Sequence, residues 1–325
     1  MKRPRGTVWI DDNPSREGTA KDLGARFVDV KNREVSSTVE KLLKGPRASL
    51  VILDHVLDKT RPPSGLLQRG STIAEAIKEA WPWCPVVGVT ASDNMEDIDL
   101  RTKGVYDALF SFQDLRQHMD ELQSIRSGFQ AAARKRLQNT TQLVRLLTAR
   151  ADETKRLQSA LPEDLRDREL LRDPSVGSRL HRWVDDLRRR AGFLYDKLWT
   201  ATFLGLNESG LEIVKGKFER SLYRGVFWIR SDPRWWSTNL SSQLYKSAEA
   251  QRGELSWNVG RRLEGITRRH FSRCYLCDDS TPPETVAYLD VASKERYPAH
   301  LKCTELHPRF KRELYFEDVR VMKAE

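Results

Sequence analysis

Two sets of side chains in this 325-residue chain have the types and spacing to do chemistry. The first follows three strand-like runs. "TVWIDDNP" delivers Asp11 and Asp12, "LVILDHVLD" delivers Asp54, and "VVGVTAS" delivers Thr90. Three carboxylates and a hydroxyl on one rim would hold Mg²⁺ beside a carboxylate able to accept a phosphoryl group. Read by itself, the Asp11–Asp12 pair is equally a pair of solvated turn acids. The second set is Cys274-x₂-Cys277, then 22 residues, then His300-x₂-Cys303. Thiolates two residues apart can hold one face of a tetrahedral Zn²⁺, and a following His and Cys the other. Four protein ligands would make that metal structural rather than catalytic. His307 is a substitute for the fourth ligand, and the bland alternative is three buried thiols beside a surface histidine.

The elements that must position the first set alternate between apolar runs and helix-like segments. Strands are expected at Thr7–Ile10, Ala25–Val30, Ser49–Leu53, Val86–Val89 and Tyr106–Phe110. Helices are expected near Arg16–Leu23, Ser36–Leu43, Ser71–Ala80 and Met95–Thr102. "SLVIL" and "PVVGV" are apolar without alternation, as suits strands buried on both faces of a parallel sheet. The expected fold is α/β: a doubly wound, five-stranded parallel sheet over residues 1–112. Such sheets place their chemistry at the carboxyl ends of the strands, beside the switch in strand order.

On "DD" after strand one, "LD" after strand three, "VTA" after strand four and "GVYDALF" before strand five, residues 5–125 resemble the CheY-like receiver domains of bacterial response regulators. The resemblance implies Asp11 and Asp12 as metal-binding acids, with Asp54 the phosphoacceptor and a third Mg²⁺ ligand. It implies Thr90 as the hydroxyl that bonds the phosphoryl group, and a histidine kinase as a partner. Two departures stand out. Strand five ends at Ser111 where the family has lysine, and Lys103 comes too early to replace it. The loop after Asp54, with two prolines, is longer than usual. Together they imply an atypical or pseudo-receiver that keeps Mg²⁺ but is phosphorylated slowly or not at all.

Beyond the sheet, residues 113–160 read as a long helical arm. Leu115, Leu122, Phe129, Leu143 and Leu157 share one heptad register that Arg136 and Arg150 interrupt, with a weak spot at Ser127–Gly128. The arm is an imperfect coiled coil, and so a route to a homodimer, or it packs on another helix. Residues 161–270 read as mainly helical, basic and tryptophan-rich. Tyr223, Trp228, Trp235, Trp236 and Tyr245 alternate with Arg224, Arg230 and Arg234. This pattern suits a core with snorkelling arginines, or a surface that stacks bases. In "WNVGRRLEGITRRHFSR", Arg261, Arg262, Arg268 and Arg269 repeat at helical spacing and are the candidate nucleic-acid contacts. A solvated face or docking on an acidic protein are the other readings. Residues 271–325 form the expected small α+β zinc module, with "TVAYLDVASKERYPA" as a hairpin.

The charge balance agrees with this division. Residues 1–112 hold 17 Lys+Arg against 16 Asp+Glu, and the remaining residues hold 39 against 30. The +10 net charge therefore lies almost wholly beyond the sheet, where an acidic partner would be met. Four cysteines are too few for a disulfide scaffold. No apolar run is long enough to span a membrane and no signal peptide is visible, so a cytoplasmic location is expected. Apart from the rim acids, no catalytic constellation stands out. Glu212, Glu219, Lys215 and Lys217 in "LEIVKGKFER" only faintly suggest a metal-nuclease strand, so an enzyme is the third reading. The leading expectation is a signalling protein whose receiver-like domain controls a basic, zinc-containing output region that binds nucleic acid or a partner complex. The alternative is a non-catalytic adaptor subunit with a pseudo-receiver docking domain.

Overall fold

The computed structural model describes residues 6–30, 35–57, 70–91, 98–135, 139–148, 161–173, 175–189, 192–247, 250, 253–279, 285–290, 295–300 and 303. The chain divides into two compact units, Met1–Trp183 with Arg224–Ile229, and Val184–Tyr223 with Arg230–Glu325. The expected four-part division cuts the chain more finely than these units do.

In the first unit, β1 (Thr7–Asp11), β2 (Ala25–Asp29), β3 (Leu50–Asp54), β4 (Val86–Thr90) and β5 (Ala108–Ser111) form one sheet. All four pairings are parallel, and the order is β2-β1-β3-β4-β5. β1, β3 and β4 are buried along their whole length, whereas β2 and β5 at the edges are only partly so. That difference explains why the inner strands read as unbroken apolar runs. Between the strands lie α1 (Glu17–Asp22), α2 (Val35–Lys44), α3 (Gly70–Ala80) and α4 (Leu100–Lys103). Ile73, Ile77 and Trp81, on and just after α3, pack with Val8, Ile10, Val51, Leu53 and Val86 in one core. Burying each such side chain contributes about 1.5–3 kcal/mol. Asp107 is a buried acid with a purely structural task. It accepts from the Val86 N–H at 2.8 Å and from Lys78 Nζ at 3.0 Å, joining the start of β4 to β5.

The long arm is not one helix among the described residues. α5 (Met119–Lys135) is followed by a separate α6 (Thr140–Thr148). Asn139 starts the second helix, its side chain accepting from the Gln142 N–H at 2.9 Å. Leu115, Leu122, Phe129 and Leu143 are all buried within this unit, so their heptad register is a core face and not an exposed coiled-coil seam. Arg136, Arg150 and Leu157 lie outside the described residues. Gly128, the expected weak spot, is continuous helix and has a packing role. A Cβ there would lie 2.3 Å from the Phe227 ring, which makes edge-on contact with Phe129.

The second unit is built from short helices. They are α9 (Lys197–Phe203), α10 (Glu208–Val214), α11 (Ser237–Ser247) and α12 (Ser256–Arg261), numbered after α7 (Arg168–Arg172) and α8 (Val176–Arg189). A two-residue antiparallel pair, β6 (Leu194–Tyr195) with β7 (Trp235–Trp236), joins them. Tyr223, Trp235 and Trp236 are buried, so these aromatics belong to the core and not to a base-stacking surface. The expected hairpin is present as β8 (Thr285–Asp290) and β9 (Glu295–His300). Among the described residues, no helix is long and apolar enough to cross a membrane.

Gly128→Ala should destabilise the first unit by about 1–3 kcal/mol, because the added methyl must displace an aromatic ring in a packed core. Phe227→Leu in the same chain should restore part of that loss in urea unfolding.

Candidate functional site

β1 and β3 lie side by side with Ile10 opposite Leu53, so the next residue of each strand, Asp11 and Asp54, arrive together. The topology thereby presses two like charges into a nearly dry place: Asp11 is 0% and Asp54 5% exposed. Carboxylate oxygens of Asp11, Asp12 and Asp54 lie within 4.8 Å of one another. By chemistry alone this donor set could hold a divalent cation such as Mg²⁺.

A cation from the chain itself stands among these acids. Arg16 Nη1 donates to Asp11 Oδ2 at 2.8 Å and to Asp54 Oδ2 at 2.7 Å. Local sequence aims it there. The Asn13 side chain accepts from the Ser15 N–H at 3.1 Å, and Pro14 opens a 3₁₀ turn over Pro14–Arg16. The guanidinium then lies over the Phe112 ring, 4.6 Å from its centre. Phe112 in turn meets Trp9 edge-on. Trp9 and Asp11 share a strand face, and the Trp9 indole N–H donates to Asp11 Oδ2 at 3.0 Å. The Asn13 N–H supplies Asp11 Oδ1 at 2.8 Å. Asp11 and Asp54 thus each give one oxygen to the guanidinium, which stands among the same acids that could hold the ion.

Burial, and then the charge of Asp11, push the Asp54 carboxyl up to about 6. Arg16 and the Val56 N–H recover only part of that shift. Burial also raises Asp11 despite bonds from Arg16, Asn13 and Trp9. Burial works against the Arg16 charge, but its bond to Asp11 and the charges of both acids more than compensate, so its pKa rises. The directions agree physically: one guanidinium is held by two acids, and each acid still faces the other.

The remaining residues of the rim are arranged as the sheet dictates. Thr90 is buried and pairs with Ser111 across β4 and β5. The Ser111 hydroxyl accepts from the Gln113 N–H at 3.2 Å. Strand five thus ends in a hydroxyl, and the cation that meets the acids comes instead from the turn after β1. Sequence reading looked for that cation along strand five and missed both Arg16 and Phe112. An Asn-Pro turn followed by arginine, directly after the acid pair, was the available signal. Behind the acids, the Gly70 N–H donates to the His55 carbonyl at 3.0 Å. A Cβ on Gly70 would lie 2.3 Å from the Asp54 carbonyl oxygen.

The cysteine cluster forms as expected. Ligand atoms of Cys274, Cys277, His300 and Cys303 all lie within 4.8 Å of one another. His300 Nδ1 is 3.4 Å from Cys277 Sγ and 3.8 Å from Cys303 Sγ. Tetrahedral Zn²⁺ with ordinary bond lengths separates S and N ligands by about 3.6 Å. The Cys-x₂-Cys turn closes through the Asp278 N–H to the Cys274 carbonyl at 2.8 Å, with Asp278 at φ 55°. Burial disfavours the Cys274 thiolate, but donors including the His300, Leu276 and Cys277 N–H groups hold its pKa below the usual value. Burial and the neighbouring sulfurs push Cys303 up to about 12, an opposition that a central cation would reverse. The donor set fits zinc, with His300 as the fourth ligand. His307 lies outside the described residues.

The arginine set does not lie on one helix. α12 ends at Arg261, Gly265 turns the chain with φ 83°, and Arg268 and Arg269 sit on a separate 3₁₀ turn. Arg261 stacks on Phe271 and donates to the Gly205 carbonyl at 3.2 Å. Arg262 pairs with Glu254, and Arg269 donates to His270 Nε2 at 3.0 Å. Arg268 is exposed. The faint nuclease strand is likewise absent: Glu212 is helical and pairs with Lys197 and Lys215, while Lys217 pairs with Glu264.

Asp54→Asn should stabilise the protein by on the order of 1–3 kcal/mol at pH 8. The sign follows from an acid whose folded pKa, about 6, exceeds its unfolded value. Its ionisation costs stability as pH rises through that window. The gain should therefore shrink between pH 7 and 4, as followed by chemical denaturation. For the cysteine cluster, elemental analysis should find about one zinc per chain. Cys274→Ser should release the metal and lower the melting temperature, since the ligands' binding energy is folding energy.

No family model matches the chain, and no curated protein does either. Among solved structures, the chain is similar to a response regulator receiver domain protein from Clostridium thermocellum at 18% identity. That match covers 35% of this chain and 90% of the other, with a TM-score of 0.27. It is similar to the response regulator TrrA from Thermotoga maritima, solved with Mg²⁺-BeF, at 20% identity over 36% and 98% of the two chains, TM-score 0.27. A receiver protein from Sinorhizobium medicae matches at 20% identity over 39% and 99%, TM-score 0.29. The parallel order β2-β1-β3-β4-β5, with acids where β1 and β3 end, is the receiver type of doubly wound sheet.

Proposed function

We propose that the chain is a signalling or regulatory protein in which the receiver-like domain serves as a docking module that does not depend on phosphorylation. The observation that carries this reading is Arg16, which bridges Asp11 and Asp54 in the place where phosphotransfer would need Mg²⁺. A phosphoryl group on Asp54 would add roughly two negative charges. Ser111 offers that charge only a hydrogen bond, and Arg16 already serves two acids. The fold places the protein in a regulatory class by analogy, and the chemistry of the site then argues for a silent member of it.

The second unit is the output in this reading, with Zn²⁺ at Cys274, Cys277, His300 and Cys303 knitting the β8–β9 hairpin to the preceding turn. Its partner is a protein. We favour this over nucleic acid because the arginines do not lie on one helix and Tyr223, Trp235 and Trp236 are buried in the core. The excess of basic residues beyond position 112 remains in favour of the nucleic-acid alternative.

Incubation with acetyl phosphate and Mg²⁺, followed by intact mass, should give no phosphoryl adduct. A rapid stoichiometric adduct that Asp54→Asn abolishes would overturn the reading. Gel shifts against salt serve the alternative: binding to DNA or RNA that weakens steeply with salt would move the output to nucleic acid.

A further inference from the structure

The acid rim raises a question that its silence leaves open: what keeps three carboxylates together. Asp11 and Asp54 are almost completely buried, and the charge of Asp11 raises the cost of ionising Asp54. Buried charges call for a partner of opposite sign, and here one is covalently attached. Arg16 is five residues from Asp11, 15% exposed in its side chain, and bonded to both acids through one nitrogen. Its position is fixed from two further directions. The Asn13–Arg16 turn sets the approach of the backbone, and the Phe112 ring supports the guanidinium from below β5. A surface arginine that met an acid by chance would have neither support.

We propose that Arg16 is a tethered counter-ion that occupies the divalent-cation place, so that Mg²⁺ enters only when the guanidinium leaves. The rim then has two exclusive states. In one the chain neutralises its own acids; in the other the 13–16 turn opens and Asp11, Asp12 and Asp54 face a metal. Exclusion follows from the oxygens already in use: both Oδ2 atoms accept from the guanidinium, while Asp11 Oδ1 accepts from the Asn13 N–H and Asp54 Oδ1 from the Val56 N–H. It follows too from charge, since a guanidinium and Mg²⁺ a few ångströms apart in a buried site repel strongly. This inference rests on the reading of the rim as a receiver-type acid site, and it names what holds that site silent. It is independent of which partner the second unit meets.

The test is Mg²⁺ titration of the zinc-loaded full chain by calorimetry and by thermal shift. Arg16→Gln removes the charge and keeps a side chain to pack on Phe112. Arg16→Lys keeps the charge on a different head group. The expected result is at least tenfold tighter Mg²⁺ binding by Arg16→Gln than by wild type, with little gain in Arg16→Lys. Mg²⁺ should raise the melting temperature of Arg16→Gln and not that of wild type. Adding Asp54→Asn to Arg16→Gln should remove the gain. Equal affinity in wild type and Arg16→Gln would overturn the proposal, and so would no binding by either at tens of millimolar. If Arg16→Gln fails to fold, Arg16→Met offers an uncharged side chain with similar reach, judged by the same criteria. A wild type that takes up phosphate from acetyl phosphate would refute the silent-site reading. A silent wild type whose Arg16 variants gain no Mg²⁺ would refute the counter-ion alone.

Discussion

Two carboxylates delivered to one spot by adjacent parallel strands are the constraint around which the first unit is arranged. β1 and β3 must be neighbours in register for the sheet to bury Ile10 and Leu53, and the residues that follow are then acids in contact. Within the sheet the Trp9 indole N–H gives Asp11 one hydrogen bond, but no charge of opposite sign. Relief comes from the turn after β1, which is why Asn13 and Pro14 matter as much as Arg16. Trp9 and Phe112 complete a wall around the charge, one donating a hydrogen bond to Asp11 and the other lying against the guanidinium. Water is kept out, and the ion pair is strengthened by the same exclusion that makes either acid costly alone.

Much of the sheet was legible because buried parallel strands leave unbroken apolar runs, and β1, β3 and β4 do end at Asp11, Asp54 and Thr90. Strand limits moved by a residue or two, as ladder ends do. Arg16 was not legible for a physical reason. Electrostatic partners are chosen in space, and a search along strand five could not see a cation arriving from a turn beside strand one. The cysteine cluster was easier, since Cys-x₂-Cys and His-x₂-Cys each encode a tight local geometry that needs little tertiary context.

Two of the misreadings in the helical regions share one cause. A periodic pattern was carried through residues that end helices. Arg261 through Arg269 match a helical period on paper, yet Gly265 adopts a positive φ and divides them. Asn139 likewise begins a new helix within what read as one arm. Gly128 erred in the opposite sense: it looked like a break and is a contact, with the Phe227 ring packed where any other residue would place its Cβ. Tryptophan interleaved with arginine was ambiguous by composition, and burial decided it.

The meeting of His55 with Gly70 ties the acid-bearing end of β3 directly to the start of α3. The chain leaves the sheet just after Asp54 and is stitched back at nearly the same point, by a backbone bond and by an approach so close that only glycine fits. A side chain on residue 70 would press on the backbone that carries the Asp54 carboxylate, so one glycine holds both the buried acid and the start of α3 in place.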